Sequence, residues 1–414
     1  MEGKVKLEKA ILQIYLISTF CLFAFFAYEG DGSALYGRTV PYINMEPIIP
    51  HFVILVGCFA IFLLCKFSYK EKIKVDMICG CLLIKGCLDL IPFAQGVTPK
   101  FNYFFQYYVI TWLALLSYLI LINVRLSKRE IEFVQKELAV FGIVLSVQVV
   151  YTALNCGVSY SNDWYKTYMV IPYAGSNVIA ALLVPIVFIT FFGFKKCLLR
   201  NLVVAFIGIA IVLTRSRGAL LLSAALIFFF AYRKGDKRAK QNLRRVALCI
   251  ILILMVPVAL SSQPAKDLLF NAQSTMYDTA LERMLNGRLN LWRDTFKANL
   301  SFETFFFGTG MYPPTSESSN AGLHNILLDL FLRCGFMGTL NYSAMFLLLI
   351  RRGKRVFQRK NCAFFIGVCI IYINSLFEVC FFSYKPEAFL WIFIGVMMSE
   401  YYSDRKDILM NSQG

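Results

Sequence analysis

Three arginines and one histidine hold most of the chemistry that this sequence can do. In "TRSRGA", Arg215 and Arg217 flank Ser216, and Gly218 follows. A guanidinium is planar, stays charged at any working pH and donates paired hydrogen bonds to phosphate oxygens. A helix beginning at Gly218 would add an N-terminus that favours a negative ligand. These residues therefore suit an anion site, although arginines beside a membrane also extend to lipid headgroups. Arg288 follows Gly287 at the start of "GRLNLWRDTF", with Trp292 one turn on, so a helix N-terminus again draws an anion toward it. The other role open to Arg288 is an ion pair with Asp294 or Glu282, and Arg283 and Arg293 are secondary candidates.

His324 is one of 2 histidines in the chain and opens "HNILLDLFLRCGFMG". It falls at a helix start, where partial positive charge and nearby arginines disfavour imidazolium. A neutral imidazole beside arginines suits general base work, and the competing role is a capping or interfacial histidine. His51, which follows Pro50 with no basic cluster beside it, fits that structural role. Asp329 and Arg333, and likewise Lys85 and Asp89, stand four residues apart inside apolar runs. Charges at membrane depth are costly and usually paired, so both sets are expected as ion pairs. Glu378 and Lys385 have no assigned role.

Lipid dictates the elements that must position these groups. The 414 residues are 58% hydrophobic and 16% charged, with a mean hydropathy of +0.62. A water-soluble chain would carry about 25% charged residues. Runs able to cross ~30 Å of hydrocarbon fall near 10–28, 50–66, 75–94, 104–124, 138–154, 176–194, 199–214, 217–232, 244–261, 325–350, 361–378 and 386–402. The expected architecture is an all-α, polytopic integral membrane protein of about twelve transmembrane helices. The first run lacks a cleavage signal and is expected to remain as the first span.

The net charge of +17 follows from topology rather than from nucleic acid. With the N-terminus inside, the alternate short loops hold about 29 of the 42 Lys and Arg residues, the bias of cytoplasmic loops. Both termini are then cytoplasmic. Residues 1–261 form spans one to nine, 262–324 one large extracytoplasmic loop with amphipathic helices, and 325–414 spans ten to twelve. Arg215, Arg217 and His324 share the outer face. In the loop, Leu289, Trp292 and Phe296 make an apolar helical stripe, and "FFFGTGMYPPTSESSN" reads as a turn-rich segment. Most of the 13 cysteines lie in apolar runs and behave as small hydrophobes. No metal-ligand spacing is present.

"TRSRGALLLSAAL", "GRLNLWRDTF", "FFFGTGMY" and "HNILLDLFLRCGFMG", in that order, resemble the signature segments of the O-antigen ligase and O-antigen polymerase superfamily. His324-Asn325, nine residues, Gly335, two residues and Gly338 match its H-N-x9-G-x-x-G pattern; Gly218, Gly308 and Gly310 complete the glycine set. The resemblance covers roughly residues 200–350. It implies a GT-C-like membrane glycosyltransferase in the bacterial cytoplasmic membrane. The site would act extracytoplasmically on undecaprenyl-pyrophosphate-linked oligosaccharide, with no cofactor, no metal and no nucleic acid. Arg217 and Arg288 would hold the pyrophosphate with Arg215, Asn325 and Trp292 lining the site, and His324 would act on the acceptor hydroxyl. A chain-length regulator is a partner implied by resemblance alone.

Two outcomes of that chemistry differ only in acceptor. A polymerase joins lipid-linked repeat units into O-antigen or capsular-type polysaccharide, and this is the favoured reading. A ligase moves the glycan to lipid A-core. A third reading, a lipid-linked oligosaccharide flippase, fits the span number but not the single long outer loop, because transporters usually show paired halves.

Overall fold

The computed structural model describes residues 2–27, 40–95, 101–124, 126–155, 169–195, 197–216, 218–220, 222–223, 288–310, 325–360, 362–376 and 383–411, with backbone alone at 2–6, 101–104, 106–107, 288–291, 359–360 and 404–411. Its helices are α1 (Glu2–Phe25), α2 (Ile48–Ser68), α3 (Met77–Ala94), α4 (Phe101–Asn123), α5 (Lys128–Asn155), α6 (Ser176–Gly193), α7 (Leu198–Leu213), α8 (Arg288–Asn299), α9 (Phe302–Phe307), α10 (Ile326–Lys360), α11 (Ala363–Asn374) and α12 (Tyr384–Asn411). Helices cover ten of the twelve apolar segments; most of 217–232 and all of 244–261 lie outside the described residues. Among the described residues, six helices or stretches of them are long and apolar enough to cross a membrane, and three shorter apolar helices accompany them. The chain is thus a mostly helical membrane protein. Its only strands among the described residues are a two-residue parallel pair, Phe26–Ala27 with Ile43–Asn44.

The core forms where helices are apolar on every side. In α12, Ala388, Phe389, Ile392, Phe393, Val396 and Met397 are all fully buried, as expected for a helix enclosed by other helices. It packs against α4, α10 and α11, while α11 lies on α6, and α6 and α7 on α5. Buried polar groups tie this apolar packing together. Thr19 Oγ1 donates to Tyr15 O at 2.7 Å, so it accepts from His51 Nε2 at 2.8 Å. His51 Nδ1 then accepts from Tyr384 Oη at 2.8 Å. The imidazole is a neutral, fully buried cross-link between α1, α2 and α12, not the interfacial cap its position suggested.

Both predicted ion pairs form. Lys85 Nζ lies 2.6 Å from Asp89 Oδ2, and Thr111 from α4 joins them by donating to the same oxygen at 2.6 Å. Arg333 Nε lies 3.2 Å from Asp329 Oδ1.

A second lock joins residues far apart in the chain. Asp76 Oδ1 caps α3, accepting from Ile78 N and Cys79 N at 3.1 Å each. Its Oδ2 accepts from Tyr118 at 2.9 Å, from Tyr402 at 2.6 Å and from Arg352. Burial raises the carboxyl pKa, but donation from Tyr402, the Cys79 amide, Arg352 and Tyr118 outweighs this and holds it below the usual range. The lock therefore holds at neutral pH and weakens only as pH falls through the carboxylate range. Asp76→Ala removes the cap and leaves Arg352 without its carboxylate. It should cost about 3 kcal/mol, read as a lower melting temperature in detergent, with Asp76→Asn losing less.

The helix ends fall into two groups. Lys66 bonds Glu8 at 2.8 Å and Glu71 at 3.0 Å, at the same end as the Asp76 lock. At the other end, Ile326 N donates to Ser375 O at 2.9 Å, and Lys385 Nζ donates to Pro172 O at 2.7 Å.

Candidate functional site

The best-defined part of the site is a contact between backbones. Gly335 takes φ +64°, ψ −171° and breaks α10 after its first two turns. The carbonyls just before the break accept from the segment that follows α9: Thr309 N donates to Leu332 O at 2.8 Å and Gly310 N to Arg333 O at 3.0 Å. Thr309 Oγ1 adds a bond to Leu332 O at 3.2 Å. Glycine is needed on both sides. A Cβ at Gly308, whose φ is +80°, would lie 2.2 Å from Arg333 O; one at Gly335 would lie 2.4 Å from Phe306 C and O. Gly310 also has positive φ, +66°, and a Cβ at Gly338 would meet Cys334 Cβ at 2.3 Å. Of the five glycines that stood out in the sequence, Gly308, Gly310 and Gly335 thus form one clamp between α9 and α10, while Gly338 packs on Cys334 within α10. Thr309, buried inside it, carried no sequence signal.

Phenylalanines pack around the clamp. Phe296 of α8 meets Phe331 with ring centroids 6.1 Å apart, and Phe305 of α9 meets Phe331 at 5.5 Å and Phe336 at 6.2 Å. Both loop helices therefore rest on the first half of α10. "FFFGTG", expected as turn, begins as helix because Ser301 caps it: Thr304 N donates to Ser301 Oγ at 3.2 Å and Ser301 N to Thr304 Oγ1 at 2.8 Å. The turn starts only at Gly308.

Asn325 sets where α10 starts. Its Oδ1 accepts from Leu327 N at 3.0 Å and Leu328 N at 3.2 Å, the pairing of an N-cap. Its Nδ2 donates to Leu376 O at 3.3 Å and fastens the cap to the end of α11. The side chain read as a substrate contact is thus already occupied in capping and tethering. Asp329, one turn in, is 1% exposed; a carboxylate in a first helical turn is favoured by the helix dipole.

The "TRSRG" corner is equally tight. Thr214 Oγ1 donates to Ile211 O at 2.7 Å and accepts from Ser216 N at 3.3 Å. Ser216 O accepts from Leu220 N at 3.0 Å. Thr214 and Ser216 are buried, and the reversal falls on Arg215, whose φ is +53°. A residue with a Cβ there costs about 1–2 kcal/mol relative to the right-handed form, and such strain collects at functional sites. Arg215→Gly should therefore raise thermal stability by about 1 kcal/mol while lowering activity. Unchanged activity would remove Arg215 from the anion site.

Of the remaining candidates, Arg217 and His324 lie outside the described residues. Arg288 is the first residue of α8, described in backbone only. Trp292 is half-buried one turn on, and Gly218 opens the helical stretch 218–220. The outer groups Glu282, Arg283 and Glu378 also lie outside the described residues, while Arg293 is exposed and lies 3.3 Å from Asp294. Among the described residues, no three His, Cys, Asp or Glu side chains converge as a metal-ligand set.

Residues 202–343 match the family model described as O-antigen ligase. The match supports the O-antigen ligase and polymerase superfamily that the sequence segments resemble. The matched segment holds the "TRSRG" corner, α8, α9, the glycine clamp and the capped start of α10, so the O-antigen ligase region and the site coincide. The match supports a membrane glycosyltransferase of the ligase and polymerase type, acting in surface polysaccharide or lipopolysaccharide biosynthesis. No curated protein matches the chain.

Proposed function

We propose that this protein is a polysaccharide polymerase of the O-antigen ligase superfamily. It lengthens glycans carried on undecaprenyl pyrophosphate at the outer face of the bacterial cytoplasmic membrane, with both termini in the cytoplasm. The observation that carries the reading is the glycine clamp within the matched region. It joins α9 to α10, the helix whose start follows His324, and Phe296 of α8, the helix headed by Arg288, packs on Phe331 beside it.

In the proposed reaction Arg217, Arg288 and His324 act together. The acceptor sugar hydroxyl attacks C1 of the donor glycan, and His324 takes its proton. The bond from C1 to the phosphate oxygen breaks, and undecaprenyl pyrophosphate leaves with the electron pair. Arg217, Arg288 and Arg215 balance the charge that grows on the leaving phosphates, a stabilisation that a preset array of donors supplies without reorganisation. One direct displacement inverts the anomeric centre. Trp292 would border the sugar, and Asn325 would keep His324 beside the start of α10. A chain-length regulator is the partner this activity would call for.

The name of the matched family also favours a second reading, ligase, which differs only in acceptor. Purified protein given lipid-linked repeat units separates them. A ladder of lengthened lipid-linked glycan supports the polymerase. Product formed only when lipid A-core is added supports the ligase, and movement of the lipid across the bilayer without lengthening supports a flippase.

A further inference from the structure

The aromatic face of α9 is left largely open by the described residues, and we propose that it is seated in the hydrocarbon of the outer leaflet. Phe302 is 77% exposed and Phe305 38% exposed. With Phe306 they stand at i, i+3 and i+4, one face of a helix. Ser301, Glu303 and Thr304 form the polar side, bonded to one another through Ser301 Oγ. A helix so divided suits the boundary between water and lipid.

The surface continues directly onto a span. Phe305 stacks on Phe336, centroids 6.2 Å apart and planes 7° from parallel. From Phe336, 44% exposed, the apolar surface runs on through Met337, Leu340 at 58% and Leu347 on α10. The stretch Ile326–Gln358 is long and apolar enough to cross a membrane, and its exposed apolar stripe is the face it offers to lipid. The depth agrees. Basic residues begin at Arg351, and the ~20 residues needed to cross the hydrocarbon, counted back from there, reach position 331. Phe336 then lies inside the outer boundary by about five residues, roughly 7 Å. The clamp holds α9 at that level, because Thr309 and Gly310 bond to Leu332 and Arg333. Part of the loop expected in water therefore dips into the bilayer. This goes beyond the proposed reaction and does not depend on it.

The test uses the full chain in liposomes with Phe302→Trp or Glu303→Trp, each compared with the parent protein. Quenching of the parent tryptophans by lipids brominated on their acyl chains reports membrane insertion as such. The added emission of Phe302→Trp is expected to be blue-shifted, mostly lost in brominated lipid and spared by aqueous iodide; Glu303→Trp should show the reverse. Quenching of Phe302→Trp by iodide would put this face in water. Protection of Phe302→Trp from both quenchers would mean that protein covers it. Either result overturns the proposal.

Discussion

Arg217→Ala and Arg288→Ala are each expected to abolish chain extension while the protein still accumulates in the membrane. Removing one preset donor from a developing negative charge typically costs 10²- to 10³-fold in rate. Undecaprenyl pyrophosphate is expelled in the proposed reaction, so its charge must be balanced as the C1–O bond breaks. Lysine at either position should recover only part of the activity, because a point charge lacks the paired geometry of the guanidinium. His324→Ala should also stop extension but leave donor binding largely intact, since the imidazole acts on the acceptor. Extension by purified protein, scored against donor retention on the same sample, separates these effects. Near-normal polymer from either arginine variant removes that residue from the anion site, and normal growth with His324→Ala removes the base.

The second large effect falls on the clamp. Gly335→Ala puts a side chain on a left-handed residue at about 1–2 kcal/mol. It also forces a Cβ to within 2.4 Å of the Phe306 carbonyl, where neither backbone can give way without breaking the bonds to Leu332 and Arg333. Overpacking of that kind adds about 1–3 kcal/mol, so the protein should lose both accumulation and melting temperature. Gly57→Ala is the control. Nothing lies within 4 Å of its added Cβ, and alanine is the better helix former by about 1 kcal/mol. If Gly335→Ala were as stable and active as Gly57→Ala, the clamp would be no part of the architecture.

Patterns that repeat along the chain were legible in the sequence. Apolar runs of span length gave the helices, because lipid leaves a backbone few other forms. Spacing of four residues gave the pairs Lys85–Asp89 and Asp329–Arg333. What depends on tertiary contact was hidden. Asp76 and Arg352 are 276 positions apart, and the buried bridge from His51 to Tyr384 spans 333. The glycines of the clamp were visible as residues, but nothing in their spacing showed that Gly308 and Gly335 exclude side chains for each other's sake. The strain at Arg215 was equally silent, since a left-handed corner is usually marked by glycine.

The central claim is that Arg217, Arg288 and His324 meet at one outer-face cavity. It is tested most directly by determining the structure of the protein in a lipid nanodisc with its lipid-linked donor bound. The account predicts both guanidinium groups within hydrogen-bond reach of the pyrophosphate oxygens and the His324 imidazole open to the acceptor side of C1. A donor bound with its pyrophosphate away from Arg217 and Arg288, or with His324 in a different cavity, would contradict it.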